Sequence, residues 1–230
     1  MTTPTQLSRR ALLQAGLCSA AGAVSGNLFA QTSADTVRVT PTQTAGPFFP
    51  KHQQVDKDLD LTRIKGHTQR AEGELIYLSG QVLDDHNRPI SGALIDIWQA
   101  NTYGRYHHED DPNPAPLDEN FQGWGQFKTD QRGYYRFKTI IPGAYPVSNT
   151  WWRPPHIHFK VAKRGYHQLT TQMYFAGNEL NNKDRLLLEL PVSKQEKLIV
   201  KFSLDAAAVE PGAKRGLFNM VLRQVEDSSA

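Results

Sequence analysis

The 230-residue chain is 39% hydrophobic, 21% charged and 10% aromatic, with 17 glycines and 14 prolines, a balance that fits a turn-rich globular protein and excludes collagen or extended disorder. Its formal charge of +3 sets 26 Lys and Arg against 23 Asp and Glu, and Arg9 and Arg10 are the only charged residues in the stretch 1–34. The remainder is close to neutral, so charge gives no reason to expect nucleic acid or an anionic membrane as a partner.

The chain opens with Ser8-Arg9-Arg10-Ala11-Leu12-Leu13, followed by an apolar stretch over 15–24 and small or polar residues up to Ala34. These are the parts of an export signal, and the adjacent arginines point to the twin-arginine route. The expectation is a signal over 1–34, cut between Gln31 and Asp35, and a mature protein that is periplasmic or secreted. The apolar stretch is too short and too rich in glycine to span a bilayer. Cys18, the single cysteine, lies inside it, and the bulky Leu17 directly before it is a poor context for lipoprotein processing. No membrane anchor, disulfide or thiolate ligand is therefore expected in the mature form.

Residues 35–74 read as an extended N-terminal segment. Within it Gly46, Pro47 and Pro50 forbid regular structure, and Phe48 and Phe49 are candidate anchors onto the body of the protein. From 75 onward β-rich runs alternate with turn signals: 75–83, 93–100, 134–141, 156–163, 170–176, 198–204 and 217–225 are the candidate strands. Only 181–190 reads as a short helix. No repeat or linker divides these runs, so 35–230 is expected to be one all-β domain, an antiparallel β-sandwich of about seven or more strands. The stretch 101–128, with Pro112, Pro114 and Pro116, reads as a long loop whose five aromatics argue for order.

The chemistry concentrates in His156-Ile157-His158-Phe159-Lys160-Val161. Strict alternation turns His156 and His158 to one face and Ile157, Phe159 and Val161 to the other. Paired imidazoles on a strand are a common way to hold a metal, although a merely half-exposed polar face would read the same. Trp151-Trp152-Arg153-Pro154-Pro155 leads into the strand and brings Arg153 near the same region. Cysteine is absent from the mature chain and no acid lies nearby, but tyrosine occurs in two loop settings, Gly104-Arg105-Tyr106 and Pro142-Gly143-Ala144-Tyr145-Pro146. A phenol, with an ordinary pKa of about 10, ionises on a strong Lewis acid. Non-haem Fe(III) held by two histidines and two tyrosines is then chemically coherent, while each tyrosine taken alone reads more simply as a core or loop packing residue.

Asp96-Ile97-Trp98-Gln99-Ala100-Asn101, Gly104-Arg105-Tyr106, Leu117-Asp118-Glu119-Asn120-Phe121, Gly133-Tyr134-Tyr135-Arg136-Phe137, Pro142-Gly143-Ala144-Tyr145-Pro146 and Trp152-Arg153-Pro154-Pro155-His156-Ile157-His158-Phe159 occur in an order that resembles the intradiol ring-cleavage dioxygenases. The likeness is nearest to the iron-bearing chain of their two-chain members. It implies that Tyr106, Tyr145, His156 and His158 bind Fe(III), with Tyr145 the ligand that leaves when a catecholic substrate chelates the iron. It further implies that Arg153 stabilises charge on the bound ring, that Gln172 lines the pocket, and that catechol-type ring and O2 react to give a cis,cis-muconate. A homologous second chain or a homo-oligomer would complete the assembly. Val147 stands where the family usually has an aromatic, within a segment 146–152 that looks shortened, which alters the pocket wall. The alternative is a transthyretin-like or carboxypeptidase-appended β-sandwich, suggested by 78–93, that only binds, or a metal-binding relative without turnover.

Overall fold

A computed structural model describes residues 39–52, 56–204 and 210–226; the export signal expected over 1–34 lies outside them. In chain order the strands are β1 (Leu75–Asp84), β2 (Leu94–Trp98), β3 (Trp124–Lys128), β4 (Tyr134–Ile140), β5 (Tyr145–Ser148), β6 (Trp151–Arg153), β7 (His156–Ala162) and β8 (Leu169–Phe175). A 3₁₀ turn (Glu179–Lys183) and two single-turn helices, α1 (Arg185–Leu188) and α2 (Val192–Gln195), precede β9 (Ile199–Val200), β10 (Ser203–Leu204), β11 (Lys214–Leu217) and β12 (Met220–Leu222).

Alternation builds the sandwich. In β1 every second residue is buried, so Ile76, Leu78 and Val82 enter the core while Tyr77, Ser79 and Gln81 lie on the half-exposed face. One sheet runs β10-β11-β1-β12, with β4 on the other edge of β1; the second runs β3-β2-β7-β8-β9. Phe137 of the first sheet meets Phe159 of the second at 6.1 Å between ring centroids, and Phe218 closes on Phe159 at 5.2 Å. These rings sit within one continuous core that also takes in Ile95, Ile97 and Val161. Burying such side chains contributes about 1.5–3 kcal/mol each, which is the main force holding the sheets together.

The all-β sandwich reading stands, with corrections of detail. The sheets are mixed, because β1 pairs in parallel with β11 and β12, and β8 with β9, while the other pairs are antiparallel. These parallel partners return from the distant C-terminal part of the chain, beyond the reach of hairpin reasoning. The run read as one strand over 217–225 splits into β11 and β12 at Phe218-Asn219, where the chain crosses β1: Phe218 N donates to Ser79 O at 2.9 Å and Gln81 N to the Asn219 side chain at 2.9 Å. Gly80 makes that crossing possible, since a Cβ there would run into the Phe218 carbonyl. The loop read over 101–128 ends in a real strand, β3, whose glycine and neighbouring prolines masked it. The helix read over 181–190 breaks at Asp184, which is extended (φ −78°, ψ 114°) and accepts a hydrogen bond from Leu187 N as the cap of α1.

The N-terminal segment is tied to both sheets, to β12 of the first and to β8 of the second. Gln43 N donates to Thr170 O at 2.8 Å, and Thr40 N donates to Val221 O at 3.1 Å. Phe48 then packs on Tyr106 at 4.8 Å and Phe49 meets Trp98 edge-on at 4.8 Å, the anchoring their sequence suggested.

Candidate metal centre

Three cross-strand registers assemble the site. On β7, His156 and His158 face away from Ile157, Phe159 and Val161, which belong to the core. Pairing sets His158 between Trp98 of β2 and Gln172 of β8, and His156 beside Tyr174 of β8. In the β5–β6 hairpin Tyr145 lies opposite Arg153. Trp98 stacks on His158 with centroids 4.7 Å apart and planes 7° from parallel, which fixes the orientation of that imidazole.

Tyr106 arrives on the loop after β2. Asp111 accepts a hydrogen bond from Tyr106 N at 2.7 Å, and Asn101 O accepts from both Gly104 N and Gly143 N, at 3.0 and 2.9 Å. Gly104 has φ +79°, and a Cβ on either glycine would strike the opposing backbone. This close approach clamps the Tyr106 loop against the strand bearing Tyr145.

The result is convergence of the four predicted ligand side chains. Tyr106 Oη lies 3.3 Å from His156 Nε2, and His156 Nε2 lies 3.2 Å from His158 Nε2. The Tyr106 and Tyr145 rings meet edge-on at 5.7 Å. Both histidines are 2% exposed, and burial, reinforced by the Arg153 charge, holds their pKa values well below the ordinary range. They are therefore neutral imidazoles. His156 Nδ1 donates to Pro154 O at 2.7 Å, the contact that assigns its proton and leaves Nε2 as a lone pair. Among the described residues His158 Nδ1 has no hydrogen-bond partner. Two ring nitrogens facing at 3.2 Å call for a proton or a cation between them, and two phenols add hard oxygen donors. This set fits a hard, highly charged metal ion.

The phenols are protonated without such an ion. Burial pushes the Tyr106 hydroxyl well up, with Tyr145 adding to the effect and Arg153 opposing it; burial also raises Tyr145, against the pull of Arg153 and a hydrogen bond with Tyr106. Arg153 itself is 4% exposed. Burial opposes its charge, but its pKa is raised, by Tyr174, Tyr145 and Tyr106 where these phenols ionise and by the Asp184 carboxylate.

A cleft of about 1050 Å³ opens onto this cluster, lined by Tyr145, Arg153, Phe48, Val147, Trp151 and Asp111 among others. Tyr145 and Arg153 form its wall, while Tyr106, His156 and His158 lie behind. Gln172, predicted to line the pocket, is fully buried: its Oε1 accepts from Arg153 Nη2 at 2.6 Å and its Nε2 donates to Thr44 O at 2.9 Å. It braces Arg153 and does not line the cleft.

Sequence reasoning missed Asp184, Tyr174, Trp98 and Gln43. Cross-strand pairing to the paired histidines was the available signal for Tyr174 and Trp98; nothing local marks Asp184. Of the other histidines, His108 packs against Phe48 and lies 3.2 Å from Phe49 O, outside the cluster. Asp84, Asp85 and His86 are close enough to hold an ion. The Asp84 carboxylate, however, already accepts hydrogen bonds from His86 N, Arg88 N and Arg88 Nε, which makes it a turn cap.

The sandwich, its long aromatic loops and a histidine–tyrosine cluster under a cleft define a ring-cleaving oxygenase of the intradiol type: the family model described as Dioxygenase matches residues 44–224, and the chain belongs to that family. Over 170 residues, 72% of each chain, it is 44% identical to the protocatechuate 3,4-dioxygenase beta chain of Burkholderia cepacia. It is also 33% identical to the catechol 1,2-dioxygenase of Candida albicans, across 47% of this chain and 39% of that one. Among solved structures, the dioxygenase domain of a dioxygenase carbohydrate-binding protein fusion from Streptomyces sp. SirexAA-E superposes with a TM-score of 0.61 at 29% identity, covering 81% of this chain and 99% of that one. Catechol 1,2-dioxygenase from Pseudomonas arvilla C-1 gives 0.63 at 26% identity, with 87% and 68% covered. Family membership sets aside the pure binding-module alternative.

Proposed function

We propose that this chain is a non-haem Fe(III) intradiol dioxygenase, exported to the periplasm or beyond, that opens protocatechuate, catechol or a similar ring with O2 to a cis,cis-muconate. The observation that carries the reading is the convergence of Tyr106, His156 and His158, with Tyr145 and Arg153 at the cleft wall, in a chain of this family. Tyr106, Tyr145, His156 and His158 would hold the iron. When bound, ferric iron supplies the Lewis acidity that draws electron density from a catechol and makes its ring reactive toward O2.

The chain's own residues do the rest. The cleft admits a flat aromatic ring between Phe48 and the β5–β6 hairpin, which orients its two hydroxyls toward the cluster. Tyr145 Oη is the group at the wall able to exchange a proton with an entering hydroxyl. The Arg153 guanidinium provides fixed positive charge beside the ring, where negative charge grows as O2 adds. The two oxygen atoms end in the carboxylates of the opened ring, so no further reductant is consumed. The beta-chain name of the Burkholderia relative supports a homologous partner chain, and a homo-oligomer is the other arrangement.

The visible spectrum of the iron-loaded protein, recorded before and after anaerobic addition of catechol or protocatechuate, tests this reading. A tyrosinate-to-iron charge-transfer band that shifts with the catechol, and oxygen uptake on admitting air, are expected. Protein that binds iron without a band overturns the tyrosine ligation, and a shifting band without oxygen uptake identifies a relative without turnover.

A further inference from the structure

Arg153 is held from one side by a residue that belongs to no motif. Asp184, fully buried, accepts from Arg153 Nε at 2.9 Å and from Nη2 at 3.5 Å, while Trp151 Nε1 donates to the same Asp184 Oδ1 at 3.2 Å. Arg153 Nη2 is also bound by Gln172 Oε1 at 2.6 Å and the Tyr174 hydroxyl at 3.2 Å. Among the described residues no hydrogen bond engages Nη1, and Arg153 lines the cleft. One edge of the guanidinium is thus fully engaged, and Nη1 is the corner left for a bound ring. A planar fork held along one edge has little freedom to turn.

We propose that Asp184 is the positioning residue of the active site: it sets the orientation of Arg153 so that Nη1 is presented to the substrate. The proposal rests on the dioxygenase reading above. Asp184 is suited to this because the same carboxylate caps α1 through Leu187 N at 3.2 Å, so the helix turn, Trp151 and Arg153 share one rigid anchor. Gln172 and Tyr174 restrain Nη2 only, and a contact at one corner leaves the planar group able to pivot about that corner.

The test is a double-mutant cycle on the full iron-loaded enzyme, with Asp184→Asn and Arg153→Gln singly and together, measured by steady-state oxygen uptake with catechol. Asn keeps an acceptor for Leu187 N but removes the charge that grips Arg153. The expected result for Asp184→Asn is a kcat lower by about 10- to 100-fold, the scale of a misplaced catalytic group, with KM changed far less. In the Arg153→Gln background the same change should cost almost nothing further, because the residue it positions is already gone. An equal fold-loss in both backgrounds, or wild-type kcat in Asp184→Asn, overturns the proposal. If Asp184→Asn does not fold, Asp184→Glu keeps the charge and moves the carboxylate by one methylene; a folded Asp184→Glu enzyme with undiminished kcat would equally overturn it. Absence of turnover in the wild type would instead fall on the dioxygenase reading and remove the ground of the proposal with it.

Discussion

Asp84 shows how a single carboxylate can be committed to structure. Burial pushes its pKa up, but hydrogen bonds from Arg88 N, the Arg88 guanidinium and His86 N outweigh this and hold it below the ordinary 3.8. A depressed folded-state pKa contributes stability that is fully present above the unfolded value and disappears as pH falls through the folded one. Asp84→Asn should therefore lower stability at neutral pH by about 1–3 kcal/mol, and denaturant titrations should show the gap to wild type closing as the pH drops below 3.8. A gap of constant size would show that the charge plays no part. The site was legible at this scale where chemistry and pattern coincided. His156 and His158 stand out by alternation, whereas Tyr106 and Tyr145, each readable alone as a packing residue, were picked out by the family resemblance. Asp184 carries no such signature, because its importance lies in contacts with Arg153 and Trp151, more than 30 positions away.

The strands and loops differ in how openly their sequences declare them. β1 alternates in burial and β7 in sequence, whereas β4 and β8 are buried at most positions; all four were readable to within a residue or so. β3 holds Gly125, packed beneath Leu61 and Ile97, and the short hairpin of β5 and β6 begins beside prolines; both are made by tertiary contact more than by local propensity. The same hairpin depends on Gly143. Adding a Cβ there would drive it into Gly104 N and the Thr102 carbonyl, so Gly143→Ala should cost about 1–3 kcal/mol of stability, as overpacking does. Because those two turns carry Tyr106 and Tyr145, the variant should also bind iron more weakly and lose intensity in the charge-transfer band. Thermal melting together with an iron titration reads both effects, and a variant that melts early yet binds iron as well as wild type would show that the two tyrosines do not depend on this contact.

Across the whole molecule, the proposed ligand set would join the loop after β2, the hairpin of β5 and β6, and β7, adding to the hydrogen bond from Gly143 N to Asn101 O that already ties the first two. An ion bound only by the folded state stabilises it by mass action, about 2.7 kcal/mol at a hundred times its dissociation constant. Iron loading should raise the melting temperature of the wild type, chelation should reverse the rise, and His156→Ala should abolish it; scanning calorimetry of the three samples decides. An equal rise in His156→Ala would place the stabilising ion elsewhere. What the sequence could not announce at this scale is the pairing of β1 with β11 and β12, since parallel partners so far apart leave no local turn to read.

The bond between Thr40 and Val221, with the Thr40 hydroxyl also accepting from Val221 N at 2.8 Å across 181 positions, bears on the order in which the protein can be built. On the ribosome, residues 39–49 emerge well before the strands that seat them. A nascent chain halted short of β12 would carry both tyrosines, both histidines and Arg153, yet Thr40 would lack its partner on the last strand. The Thr40 end of the segment that carries Phe48 and Phe49 can therefore be seated only once the last strand has been made, while its Gln43 end already has its partner on β8.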